Sequence, residues 1–238
     1  MLSEILEVKP ETPSVTSFKY TKPANFSYSP GQFTNIELDI ADCDERCNKR
    51  NFSLVSSPTD DYLMFATRVG ASRFKQTTET LTNGNQFHLT GPFGRFILNE
   101  DERVGAVMLS GGIGITPLHS MIKYATYKQL PKPITLIYSN STADDIPFKK
   151  DLDEYATQNK HFQAHYTVTN TADTPPSGGW TGRKGRIDET MIQELIPNWQ
   201  ICEFYVCCPA QMVIEIKKLL VNMGLDVEKL KSELFTGY

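Results

Sequence analysis

Three short strings in this 238-residue chain bring together residue types suited to holding phosphates and flat rings. The first is Ser110-Gly111-Gly112-Ile113-Gly114-Ile115-Thr116-Pro117, between an apolar run at Gly105–Leu109 and a helical pattern. Glycines at such a turn let a ligand's phosphates approach the backbone, and the helix start offers unpaired N–H groups and partial positive charge. Pro117 suits the first helical turn, where its missing N–H costs nothing. The third glycine of G-x-G-x-x-G is absent, so this is not the usual dinucleotide fingerprint.

The second string is Arg50-Asn51-Phe52-Ser53. Residues two apart share one face of a strand, so Arg50 could pair with a phosphate while Phe52 stacks on a flat ring. Ser53 points to the other face and offers a hydroxyl. The third string, Tyr205-Val206-Cys207-Cys208-Pro209-Ala210-Gln211-Met212, again sits where a strand gives way to a helix. Open α/β sheets bind ligands outside the carboxyl ends of their strands. A cysteine there is either a small buried hydrophobe or a soft group touching a ligand.

The elements that must position these strings fall into two halves with different rhythms. Ser14–Tyr20, Gln32–Ile40, Asn51–Ser56, Tyr62–Arg68 and Gln86–Thr90 are rich in aromatic and β-branched residues and are separated by turn residues. They predict a small antiparallel barrel, interrupted by a short helix over Arg73–Leu81. From about residue 103, strands at Gly105–Leu109, Ile134–Ser139, Phe162–Thr169, Phe204–Cys207 and Lys231–Phe235 alternate with helices. The helices are expected through Leu118–Ala125 and over Pro147–Gln158, Asp188–Ile196 and Ala210–Met223. That alternation predicts a Rossmann-like parallel sheet with helices on both faces. Thr171–Arg186 reads as a long loop. The boundary is placed at Asp101–Arg103, giving a barrel domain over residues 1–101 and an α/β domain over 102–238.

The bulk numbers bound the rest. A 39% hydrophobic and 22% charged chain is ordinary for a globular protein. Its net charge of −4 gives no support for nucleic-acid binding. No stretch approaches 18 apolar residues, so no membrane span is expected. The start, Met1-Leu2-Ser3-Glu4-Ile5-Leu6-Glu7, lacks the pattern of a secretory signal. The five cysteines, at 43, 47, 202, 207 and 208, are read as free thiols in a reducing, cytoplasmic compartment. Neither they nor His161 and His165 have metal-site spacing, so no metal is expected.

Taken together, in this order and spacing, the three strings closely resemble the ferredoxin–NADP reductase family, which joins a Greek-key flavin-binding barrel to a nucleotide-binding domain. That family shows Arg-x-Tyr-Ser, Gly-Gly-x-Gly-Ile-Thr-Pro and Tyr-x-Cys-Gly-Pro, and often Ser-Asn-Arg followed by acidic residues and Ile-Pro-Phe. The last reads here Ser139-Asn140-Ser141-Thr142-Ala143-Asp144-Asp145-Ile146-Pro147-Phe148. The resemblance implies FAD held by Arg50, Asn51, Phe52, Ser53, Thr67, Arg68, Ser72, Phe74, Lys75, Thr116, Phe235 and Tyr238. It implies NADPH or NADH along Gly111, Gly112, Gly114, Thr116, Pro117, Ser139, Asn140, Cys207, Cys208, Pro209 and Met212. Ser53, Cys207, Glu233 and Phe235 would stand at the reacting rings, with Phe235 covering the flavin and Tyr238 close by.

The activity so implied is hydride transfer from a pyridine nucleotide to bound flavin. Electrons would then pass to a separate acceptor such as ferredoxin, flavodoxin or a free flavin. Arg183, Lys184 and Arg186 could meet a 2′-phosphate, which tilts the expectation toward NADPH. Three departures stand out: Cys208 replaces the family glycine, Ser141 replaces an arginine, and three residues follow Phe235. They keep open a second reading, a non-catalytic flavin- or nucleotide-binding subunit or a redox sensor of a larger complex.

Overall fold

The structure is a computed structural model that describes residues 1–41, 47–170 and 180–235, the side chain of Phe235 excepted. Among these residues, twelve strands form two six-stranded sheets. The first sheet uses β1 (Leu2–Thr12), β2 (Val15–Thr21), β3 (Phe33–Glu37), β4 (Lys49–Ser53), β5 (Tyr62–Arg68) and β6 (Gln86–Phe93), in the order β4-β3-β6-β1-β2-β5. All its pairings are antiparallel. Its interior is aromatic: Phe18 stacks on Phe65 at 4.8 Å between centroids, and Tyr20 meets Phe87 edge-on at 5.1 Å. Burying each such ring contributes roughly 1.5–3 kcal/mol. β1 went unseen in the sequence. Its glutamates, lysine and proline break the apolar alternation, and Leu2 and Leu6 stay exposed. Backbone pairing with β2 and β6 holds it instead.

Between β5 and β6 lies α1 (Arg73–Glu79), anchored by fully buried Phe74 and capped by Ser72, whose hydroxyl accepts from the Lys75 N–H at 3.3 Å. The outer strands β4 and β5, at opposite ends of the sheet order, come together beside this helix and leave an open seam.

The second sheet holds β7 (Ala106–Gly111), β8 (Ile134–Asn140), β9 (Phe162–Val168), β10 (Arg183–Lys184), β11 (Glu203–Pro209) and β12 (Leu230–Phe235), in the order β10-β9-β8-β7-β11-β12 and wholly parallel. One face packs under α2 (Ile115–Tyr127) and α3 (Lys149–Gln158), with Met108, Leu118, Leu136 and Leu152 in one core. The other packs under α4 (Glu189–Leu195) and α5 (Ala210–Asn222), with Val107, Leu109, Ile192 and Ile216. Alternate residues of β7 serve opposite cores, as the period-2 geometry of a strand requires. The chain runs from β7 outward to β9 and β10, then returns to place β11 on the other side of β7. The loops after β7 and β11 therefore diverge, which opens a crevice at their carboxyl ends.

Several expectations need correction. The helix expected over Pro147–Gln158 begins at Lys149, because Phe148 takes a left-handed conformation (φ 59°) to bury its ring beside His119 at 4.9 Å. Part of the expected long loop pairs as β10 with Thr167 and Val168 of β9; residues 171–179 lie outside the described residues. Cys47, read as a free thiol, is disulfide-bonded, and Cys43, read likewise, lies outside the described residues. Cys202, Cys207 and Cys208 are free and buried. No helix among the described residues is long and apolar enough to cross a membrane.

The two sheets share an apolar core in which Val15, Val55, Ala66 and Phe96 of the first half meet Met108, Ile113 and Met121 of the second. Across it, the Lys123 ammonium reaches the Asp60 carboxylate at 2.7 Å and the Tyr62 hydroxyl at 2.9 Å. Ser120 donates to the Ser56 carbonyl at 2.6 Å.

Candidate active site

The seam between β4 and β5 is a cavity of about 680 Å³. β4 supplies Lys49, Arg50, Asn51, Phe52 and Ser53; β5 and the turn after it supply Ala66, Thr67, Arg68, Ser72, Phe74 and Lys75. The second half closes it with Ile113, Thr116, Glu233 and Leu234. Phe52 lines the cavity but also leans into the barrel, 4.7 Å from the Phe65 ring and 5.7 Å from Phe74. The guanidinium of Arg50 lies 5.6 Å over the Phe74 ring. Burial, and then the charge of Arg68, hold the Lys75 ammonium below its ordinary value. Like charges gathered on one wall suit an anionic occupant.

At the other end of this cavity stand Ser53 and Glu233. Burial pushes the Glu233 carboxyl up to about 7, against the lowering effect of the Ser53 hydroxyl. One buried carboxylate oxygen of Glu233 has no hydrogen-bond partner. A buried carboxyl with its pKa raised, one oxygen unpartnered and its residue lining the cavity fits a bound group carrying a hydrogen-bonding atom. Parallel pairing sets Cys207 opposite both Glu233 and Ser110. Burial, then Glu233 and Cys208, hold the Cys207 thiol far above its ordinary value. Burial alone pushes Cys208 up to about 12. Both are therefore neutral thiols.

The crevice beyond β7 and β11 forms a second cavity of about 890 Å³. Gly111, Gly112, Ile113, Ser139, Asn140, Pro209 and Met212 line it, as do Arg186, Asp188 and Glu215. Gly112 has φ +52°, a backbone shape that disfavours other residues, and the Tyr138 hydroxyl donates to its carbonyl at 2.8 Å. A side chain at Gly114 would lie 2.2 Å from the Cys207 carbonyl oxygen, so only glycine lets the turn seat against β11. Arg68 and Ile113 line both cavities, which therefore adjoin.

Most of the expected residues thus gather on these two walls. Some do not. Gly114, Pro117, Cys207 and Cys208 sit behind the surface and line neither cavity. Arg183 lines neither, and both its terminal nitrogens donate to Glu194 at 2.9 Å. The Phe235 side chain and Tyr238 lie outside the described residues. Phe33, Asn35, Lys49, Ile187, Asp188, Gln211, Glu215, Ile216 and Leu219 were missed. Cross-strand register explains two of these: Asn35 pairs with Asn51, and Phe33 with Ser53.

An antiparallel barrel with a lateral seam, joined to a parallel sheet with a glycine turn at its switch point, defines a class: the ferredoxin–NADP reductase-like fold. Residues 108–218 match the oxidoreductase NAD-binding domain family. The flavohem-like FAD/NAD-binding domain of nitric oxide dioxygenase from Vibrio cholerae superposes with a TM-score of 0.84 over 98% of both chains, at 21% identity. In sequence, the glycine betaine monooxygenase reductase subunit of Chromohalobacter salexigens is 27% identical over 235 residues, covering 97% of this chain and 62% of its own. NADH-cytochrome b5 reductase 1 of Cryptococcus neoformans is 32% identical over 169 residues, covering 65% of this chain and 56% of its own. The chain thus spans about six-tenths of the length of these curated relatives.

Proposed function

We propose that this chain is an NAD(P)H-dependent flavin oxidoreductase that passes electrons to a separate acceptor. The observation that carries the reading is the pair of adjoining cavities, one walled by Arg50, Lys75, Ser53 and Glu233, the other by Gly111, Gly112 and Ile113 of the glycine turn. Residues 1–101 would hold FAD and residues 102–238 the nucleotide. When bound, the flavin supplies the chemistry, taking a hydride from nicotinamide and releasing electrons onward. The residues supply position. Arg50 and Lys75 hold phosphates, Ser53 orients the reacting ring, and Glu233 keeps a proton available near neutral pH. Cys207 acts as packing that sets the spacing of Ser110 and Glu233.

We infer NADH as the better donor, against the expectation from the sequence. Arg183 is taken up by Glu194, Arg186 is bridged to Glu215 at 3.2 Å, and Asp188 stands in the same wall. Two carboxylates there oppose a 2′-phosphate. The relatives include a monooxygenase reductase subunit and a cytochrome b5 reductase, which supports a separate redox protein as acceptor, ferredoxin and flavodoxin being the candidates the sequence suggests. A cytoplasmic location is supported by three free thiols and opposed by the disulfide at Cys47; thiol titration of protein extracted under alkylation tests it.

Steady-state turnover with ferricyanide tests the whole reading. NADH oxidation by FAD-loaded protein is expected, with kcat/KM above that for NADPH. Flavin binding without turnover would instead identify a non-catalytic subunit.

A further inference from the structure

Arg68, at the end of β5, is the charged residue shared by both cavity walls. Only one corner of its guanidinium is engaged. Nη1 donates to Asp145 Oδ2 at 2.8 Å and also to the Ser14 hydroxyl. The opposite edge faces the glycine turn: a Cβ built on Gly112 would lie 3.0 Å from Nη2 and 3.7 Å from Nε. Among the described residues, Nε and Nη2 have no hydrogen-bond partner. That pair of N–H groups is the fork with which arginine grips an anion through two parallel bonds.

Asp145 lies in the short turn Ala143–Asp145 that follows β8, in the other half of the chain. Its Oδ1 accepts from Thr12, the last residue of β1, at 2.5 Å and from Ser14, in the turn between β1 and β2, at 2.6 Å. Burial opposes its charge, but the Ser14 and Thr12 hydroxyls and Arg68 outweigh burial and hold the carboxyl below its ordinary value. With Arg68 only 27% and Asp145 21% exposed, the pair is partly screened from water, where such a contact fixes geometry better than on an open surface.

We propose that Asp145 is a positioning residue. It holds Nη1 of Arg68 so that the Nε–Nη2 edge is presented over Gly112 to the pyrophosphate of the pyridine nucleotide. This rests on the reading above that a pyridine nucleotide occupies the second cavity. One carboxylate from the nucleotide half thereby aims a cation that belongs to the flavin half.

The test uses FAD-loaded full chain and three variants: Asp145→Asn, Arg68→Ala and the pair together. Two donors are compared, NADH and reduced nicotinamide mononucleotide, which has no pyrophosphate. Wild type must first oxidise NADH; if it does not, the functional reading fails, not this one. Loss of an aimed charge-assisted bond is expected to lower the ratio of kcat/KM for NADH to that for the mononucleotide about tenfold, through KM. The dissociation constant for ADP-ribose, measured calorimetrically, is expected to rise about as much. The double variant is expected to be no worse than Arg68→Ala, because Asp145 acts only through Arg68. Flavin content and melting temperature report folding separately. A ratio and an ADP-ribose affinity that stay at wild-type values in Asp145→Asn, or additive losses in the double variant, overturn the proposal.

Discussion

Ser53 and Glu233 face one cavity from different halves of the chain, and the proton bound by Glu233 is measurable in the stability of the fold. Burial raises Glu233 to about 7, so in the cofactor-free protein the folded state holds a proton that the unfolded chain releases near its ordinary value. A raised pKa contributes stability below the unfolded value that is lost as pH climbs through the folded one. Stability is therefore expected to fall between about pH 4.5 and 7, by on the order of 3 kcal/mol. Glu233→Gln is expected to remove that slope. Urea denaturation at several pH values checks it, and an unchanged slope in Glu233→Gln would assign the effect to other groups. For Ser53→Ala the expected loss lies in rate: flavin reduction by NADH in stopped flow slows roughly 10- to 100-fold while FAD retention changes little.

Elements position these side chains through contacts that leave little slack. Gly114 opens α2 against the Cys207 carbonyl, and the backbone atoms that a methyl would strike cannot rotate away. Gly114→Ala is expected to cost about 3 kcal/mol by overpacking, lowering the melting temperature by roughly 10 °C. A thermal shift under 2 °C by calorimetry would mean that the turn can move off β11. The glycine turn and the Arg50–Ser53 string were legible in the sequence because their chemistry is local. So were the alternating strands and helices of the second half, whose apolar runs are continuous. β1 was not, since its pairing depends on backbone bonds rather than an apolar pattern. Asn35 and Phe33 were not, because cross-strand register is set by which strands become neighbours. Asp188 and Glu215 were not, since a cap and a helix residue six positions past Pro209 enter the cavity only through the packing of α4 and α5.

At the scale of the whole molecule, both cavities depend on how the halves dock. The Lys123–Asp60 pair lies in that contact, with side chains 8% and 7% exposed. Burial opposes the Lys123 charge, but Asp60 and Tyr62 outweigh burial and hold its pKa up. Removing one member strands the other. Lys123→Ala is expected to destabilise by about 3–5 kcal/mol and to separate a single unfolding transition into two. Coincident loss of both halves at wild-type stability, followed by far- and near-ultraviolet circular dichroism, would show that the apolar contact alone holds them.

The central claim is that one chain brings a flavin and a pyridine nucleotide into two adjoining cavities. Anaerobic titration of FAD-loaded protein with NADH, followed by flavin absorbance, tests it most directly. The account predicts bleaching that is complete at one NADH per bound FAD and slowed by Ser53→Ala. A folded protein that retains FMN or no flavin, or bound FAD that stays oxidised under excess NADH and NADPH, would contradict it.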